Sequence, residues 1–135
     1  MADTFRISRE LVDEMFAQAR LEAPREACGM LGGTARHVKA AYPATNTDTN
    51  NVTYNIDPQE AFSIVRRMRG DGVEFIASYH SHPETEAYPS PTDRGKAGDT
   101  ELIYVIFSLR SPENSEFRAF EIDKGEVTEL TVQID

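Results

Sequence analysis

Apolar residues recur at three- and four-residue intervals through Leu11, Val12, Met15, Phe16 and Ala19, with Arg9, Glu10, Asp13, Glu14 and Gln18 between them. That period predicts one amphipathic helix, with Ser8 placed to cap it and Pro24 to end it. A second helical signal opens at Asp57, a capping side chain followed by Pro58 at the first helical position and Glu60 three residues after the cap. Ala61, Phe62, Val65 and Met68 are expected to face the core, Arg66, Arg67 and Arg69 to face water, and Gly70 and Gly72 to stop the helix. Ser90, Pro91 and Asp93 repeat the cap pattern and predict a short third helix. Between these lie segments of strand character. Residues 27–33 are short, apolar and glycine-rich, and residues 36–42 look like their hairpin partner, with Gly32, Gly33 and Thr34 near the turn. Residues 73–79, 102–109, 116–122 and 126–134 are the other strands, the last two joined by a turn at Asp123-Lys124-Gly125. Nearly every residue of 45–51 is Thr, Asn or Asp, which marks a loop. The expected fold is α+β, close to an α/β sandwich, with a curved, mostly antiparallel sheet flanked by helices in one domain over residues 1–135.

Composition narrows the function classes. The hydrophobic fraction of 39% and charged fraction of 27% are ordinary for a globular chain of 135 residues. No apolar run approaches the ~20 residues that span a bilayer. The start, Met-Ala-Asp-Thr-Phe-Arg, lacks the apolar stretch of a secretory signal, so the expectation is a cytoplasmic protein with no membrane partner. The single cysteine, Cys28, excludes an internal disulfide and a multi-cysteine zinc site. With 23 acidic and 14 basic residues the net charge is −9, which repels a phosphate backbone and argues against a nucleic-acid partner.

The candidate chemistry lies in residues 79–93. His80 and His82 are two apart at the end of a predicted strand, so their side chains point to the same side and can reach one cation. Pro83 cannot donate to a ladder and helps end the strand just after the second histidine. Asp93, at the start of the next helix, can return to the same spot as an oxygen ligand. Two nitrogens and one oxygen leave a fourth tetrahedral position open, the layout of a catalytic zinc site. Hydrolysis of an amide also needs a base and a donor to the oxyanion. Ser90 is placed to be that donor. The base must come from elsewhere, because Glu84 and Glu86 sit in the loop that closes over the site.

His80-Ser81-His82-Pro83, then Ser90, then Asp93 resembles the JAMM (MPN+) metallopeptidase motif in full. Upstream, Pro24-Arg25-Glu26-Ala27-Cys28-Gly29 is similar to that family's Pro-x-Glu-x-Cys-Gly segment. The resemblance implies a JAMM/cytidine-deaminase-like fold and one Zn²⁺ per chain held by His80, His82 and Asp93. It further implies Glu26 as catalytic base, Ser90 as oxyanion stabiliser and Cys28 as a packing residue. Residues 80–93 look most like the stand-alone bacterial (Mec-like) members. For those the resemblance implies release of cysteine from the C-terminal Gly-Gly tail of a small ubiquitin-like sulfur-carrier protein. A sheet edge would offer such a tail a place to add as a strand.

Each of these residues also has a duller reading. Two histidines at a strand end usually carry no metal, and Ser90 and Asp93 suffice as a helix cap and its first-turn carboxylate. Glu22 is an alternative base, although it falls on the helix end and lacks the Cys-Gly continuation. Cys28 with His80 would make a cysteine nucleophile and base, but an apolar setting raises a thiol pKa and leaves His82 unexplained. His37 has no partner spacing and reads as structural. Arg66, Arg67 and Arg69 are most simply a solvated helix face, with an acidic carrier as the alternative. Competing functions are a general deconjugase of ubiquitin-like modifiers, a non-catalytic MPN-type scaffold, and a RadC-like protein with a DNA-repair association.

Overall fold

The computed structural model describes residues 4–97, 101–111, 113 and 115–135, so the first three residues of the leader reading lie outside it. Seven strands and three helices follow in the order β1 (Thr4–Ile7), α1 (Arg9–Glu22), β2 (Cys28–Thr34), β3 (His37–Ala44), α2 (Pro58–Gly70), β4 (Glu74–His82), α3 (Pro91–Lys96), β5 (Ile103–Ser108), β6 (Phe117–Asp123) and β7 (Glu126–Ile134). The sheet is a closed barrel in the order β1-β3-β2-β4-β5-β6-β7. The expected curved, mostly antiparallel sheet is here closed into a barrel. Closure depends on β1, a four-residue strand that the sequence reading left out, which pairs in parallel with β7 and with β3. The β4–β5 pairing is also parallel, so the sheet is mixed, with antiparallel β2–β3, β2–β4, β5–β6 and β6–β7 ladders. Every strand has two neighbours in this order, although β1 meets β3 only at the pair Arg6 and His37 among the described residues.

Helix α1 forms for the reasons its sequence gives. Ser8 Oγ accepts the Leu11 amide, and Val12, Met15, Phe16 and Ala19 are buried. Those four join Phe5, Ile7, Leu31, Val38, Ala77, Tyr79, Val105, Phe107, Ala119 and Leu130 in one cluster drawn from all seven strands. Helix α1 lays one face on this cluster, while Arg9, Glu10, Asp13, Glu14, Ala17, Arg20, Leu21 and Glu22 on its other side are exposed, and odd-numbered residues of β4 and β5 point into the same cluster. Helix α2 packs outside, where Ile64 and Met68 meet Met30 and Tyr42. Phe62, expected in the core, is 65% exposed, and Ile64 takes the inward position. Asp57 makes no side-chain cap bond, and Glu60 accepts from the Thr45 amide instead of closing a capping box. Arg66, Arg67 and Arg69 are exposed, with the Arg67 guanidinium 5.2 Å from the Tyr42 ring centroid. The β2–β3 turn falls at Ala35 and Arg36, one step beyond the expected glycines, with Ala35 at φ 55°. Lys124 and Gly125 both have positive φ, the two-residue turn expected between β6 and β7. No helix among the described residues is long and apolar enough to cross a membrane.

One glycine fixes the approach of β2 and β4. A Cβ at Gly29 would stand 2.4 Å from the Tyr79 ring. Tyr79 cannot yield, being fully buried with its hydroxyl donating to Gln18 Oε1 at 2.5 Å, while Gln18 Nε2 donates to the Cys28 carbonyl. Gly29→Ala should therefore cost about 3 kcal/mol, the upper end for overpacking. It should appear as a lower urea midpoint with an unchanged slope. A midpoint equal to wild type would show that the ring can move.

Candidate metal centre

The even-numbered side chains of β4 point out of the barrel, which puts His80 and His82 on one outer face. That face lies between the α2 cluster and the small cluster of Ala87, Ile106, Phe120 and Ile122. Across the sheet, Cys28 is registered opposite His80. The pairing continues past the strand end, with the Ser81 amide donating to Ala27 O at 2.9 Å and the Ala27 amide donating to Ser81 Oγ at 2.8 Å. The same register carries Glu26 across from His82, on the outer face with Cys28 and Met30. Alternation thus aims Glu26 at the histidines.

Helix α3 supplies the third group. Ser90 Oγ accepts the Asp93 amide at 3.0 Å and the Ser90 amide donates to Asp93 Oδ2 at 2.9 Å, the full reciprocal cap. The cap holds Oδ2 at 3.1 Å from His80 Nε2 and 3.2 Å from His82 Nε2, and the two Nε2 atoms are 3.2 Å apart. His82 Nδ1 lies 2.7 Å from the Glu86 carbonyl, which can only accept, so that nitrogen carries the proton and Nε2 offers a lone pair. Lone-pair atoms converging in this way repel one another unless a proton or a cation lies between them. Their spacing matches the ~3.3 Å edge of a tetrahedron with ~2.0 Å metal–ligand bonds. The donor set therefore fits a divalent cation, zinc among them.

Electrostatics set the members apart. Burial lowers His80, against the pull of Asp93. For His82 burial acts downward too, but bonds to Asp93 and to the Glu86 carbonyl leave it raised. Asp93 would be raised by burial, yet the two imidazoles and the Ser90 amide beside it hold it well below the usual carboxylate range. Glu26 is 4% exposed, and its Oε1 has no hydrogen-bond partner. Burial pushes its carboxyl up to about 7, with His82 pulling the other way. Glu26, His82 and Ser90 line a single groove of about 370 Å³, walled by Pro24, Asn51, Val52, Pro83, Glu84 and Thr85. A smaller cleft of about 90 Å³ lies by His80 and Asp93, beside Tyr54 and Lys96.

All five sequence candidates, Glu26, His80, His82, Ser90 and Asp93, meet at this face. Glu22 does not, being exposed at the end of α1. Cys28 is fully buried and its thiol is pushed up to about 12, by burial first and then by Glu60, which removes it as a nucleophile at neutral pH. His37 is half-buried at the start of β3, away from the cluster. The sequence reading missed Tyr54, whose ring stacks on His80 with centroids 4.5 Å apart. It also missed Ser108, which donates to Thr85 O, and Glu116, which accepts the Ala87 amide. Together these two fix the loop whose Glu86 carbonyl orients His82. An aromatic among the polar residues of the 45–55 loop was the one available signal; Ser108 and Glu116 carried none.

Comparison with known proteins agrees with this geometry. A family described as prokaryotic homologs of the JAB domain matches residues 8–123. A CysO-cysteine peptidase of Mycobacterium tuberculosis is 37% identical over 134 residues, covering 95% of this chain and 89% of the relative. A desampylase of Haloferax volcanii is 35% identical over 130 residues, covering 91% of each. Among solved structures, a protein of Desulfitobacterium hafniense superposes with a TM-score of 0.90 at 36% identity, covering 97% of this chain and 92% of the other.

Proposed function

Since the chain belongs to the prokaryotic JAB family, of which the JAMM motif is the metallopeptidase signature, we propose that it is a zinc peptidase acting on a ubiquitin-like sulfur carrier. In this reading it cleaves the bond that joins the carrier's C-terminal Gly-Gly tail to a terminal cysteine. The observation that carries the proposal is the convergence of His80 Nε2, His82 Nε2 and Asp93 Oδ2 beside the buried Glu26 carboxyl, whose Oε1 has no hydrogen-bond partner.

His80, His82 and Asp93 would hold the cation, which when bound acidifies water and polarises the scissile carbonyl. Glu26 takes the proton of the attacking water and passes it to the departing amine, so that one C–N bond breaks as one C–O bond forms. Its burial suits the task, because a desolvated carboxyl holds a proton more readily than one in water and can still return it to the departing amine. Ser90 Oγ accepts from the Asp93 amide, which leaves its O–H free to donate to the carbonyl oxygen as negative charge gathers there. In this reading the tail is held in the groove lined by Asn51, Val52 and Pro83 to Thr85. A glycine tail presents no side chains to those walls and allows close approach.

Two conjugates of one carrier test the reading: a carrier with cysteine appended to Gly-Gly, and the same carrier joined to a lysine side chain. Metal-loaded enzyme should release free cysteine and a carrier ending in Gly-Gly, with the lysine conjugate cut more slowly. Equal rates would favour the general deconjugase, whose archaeal counterpart among the relatives is the desampylase. Cleavage of neither would return the chain to the scaffold reading.

A further inference from the structure

We propose that Asn46 is a positioning residue that sets the place of the Glu26 carboxylate. The proposal rests on the reading of Glu26 as the proton carrier and adds a residue to it.

Glu26 stands just outside β2, beyond the last ladder pair, so the sheet does not hold its backbone directly. On one side Ala27 is tied to Ser81. On the other, Asn46 Nδ2 donates to the Glu26 carbonyl at 2.9 Å. The Asn46 side chain is 4% exposed, and both of its ends are engaged. Nδ2 also donates to Thr53 O at 3.2 Å, and Oδ1 accepts the amides of Asp48 at 2.9 Å and Asn55 at 3.1 Å. Two donors and two lone pairs are the whole capacity of an asparagine, and here all four are used. Arg25 returns the link, its guanidinium donating to the carbonyls of Asn46 and Asp48.

The 46–55 loop is therefore folded around this one amide and clamped to residues 25 and 26. The same loop reaches the metal ligands, since Tyr54 stacks on His80 and Lys96 of α3 donates to Tyr54 O. Its Asn51 and Val52 form the groove wall facing His82 and Ser90. Asn46 thus ties the base to the half of the site that carries the ligands. Aspartate has the same shape but no N–H, and it would set a carboxylate oxygen against two carbonyls.

The test is a double-mutant cycle on the full, metal-loaded chain, with metal content measured alongside kcat and KM. Asn46→Asp should keep about one metal per chain, shift KM less than about threefold and lower kcat ~10- to 100-fold, the scale of a small misplacement of a catalytic group. In a Glu26→Gln background the same change should alter kcat less than about twofold, because the group it positions is gone. Equal losses in both backgrounds would mean a general structural role and would overturn the proposal, as would wild-type kcat in the single variant. If Asn46→Asp does not fold, Asn46→Ser, which keeps one hydroxyl donor, enters the same cycle with the same criterion. Full turnover in Glu26→Gln alone would remove the proton carrier and this proposal together. Additivity with an inactive Glu26→Gln would remove only Asn46.

Discussion

Glu26→Gln is expected to keep its full complement of metal and lose ~10²–10⁴ in kcat, the usual scale for a missing general base. The change is nearly isosteric, and Glu26 stands outside the triangle of His80, His82 and Asp93, so the ligands should not notice it. What disappears is a carboxylate that can shuttle a proton. Elemental analysis and steady-state kinetics on one preparation check both halves. Lost metal would make Glu26 a ligand, and retained turnover would pass the role to another group. The same variant has a second signature in metal-free protein. The folded-state pKa of Glu26 is raised from 4.5 to about 7, so folding favours its protonated form. That contribution is fully present below pH 4.5 and is lost as pH rises through 7. Metal-free Glu26→Gln should thus match the wild type near pH 4.5 and exceed it by on the order of 1–3 kcal/mol at pH 8. A constant gap between the two across that range would mean the carboxyl is solvated.

Asp93→Ala should have the other large effect, the loss of bound metal and of turnover together. Asp93 Oδ2 is the one anionic member of the cluster, and its side chain is only 9% exposed. Without it two neutral imidazoles face a dication with no opposing charge. The metal should fall from about one per chain to under about a tenth, because losing a ligand outright costs more affinity than the ~10–100-fold of losing a supporting partner. Asp93→Asn separates ligation from capping, because its side-chain oxygen can still accept the Ser90 amide while the charge is gone. If Asp93→Asn binds metal normally and only Asp93→Ala fails, Asp93 matters as a cap and the proposed site is wrong.

The site was more legible than the fold around it. His80 and His82 were readable because a strand period is local: two residues along one strand share a face whatever the rest of the chain does. Ser90 and Asp93 were readable because a helix cap is also local, and the cap is what aims the carboxylate. Glu26 needed the family resemblance, since nothing near it in the chain says what it faces. Phe62 shows the limit of periodicity. It sits within a helix turn of Ile64, and only the direction of approach of β2 and β3 decided that Ile64 and Met68 go inward. Asn46 passed as one polar residue among several in a loop, because a buried amide using all four hydrogen bonds looks the same in sequence as an exposed one.

By itself the sequence determined the local parts: the helix starts, the parity that puts two imidazoles on one face, and a net charge of −9. Those follow from spacing and side-chain type within a few residues. Tertiary structure alone decided that β1 closes the sheet by pairing with both β3 and β7, and that the apolar face of α1 packs on the core those strands share. It also decided that a glutamate far upstream lies across from His82. Such outcomes depend on which distant strands pair and in what register, and that is settled by the combined burial of residues scattered along the whole chain.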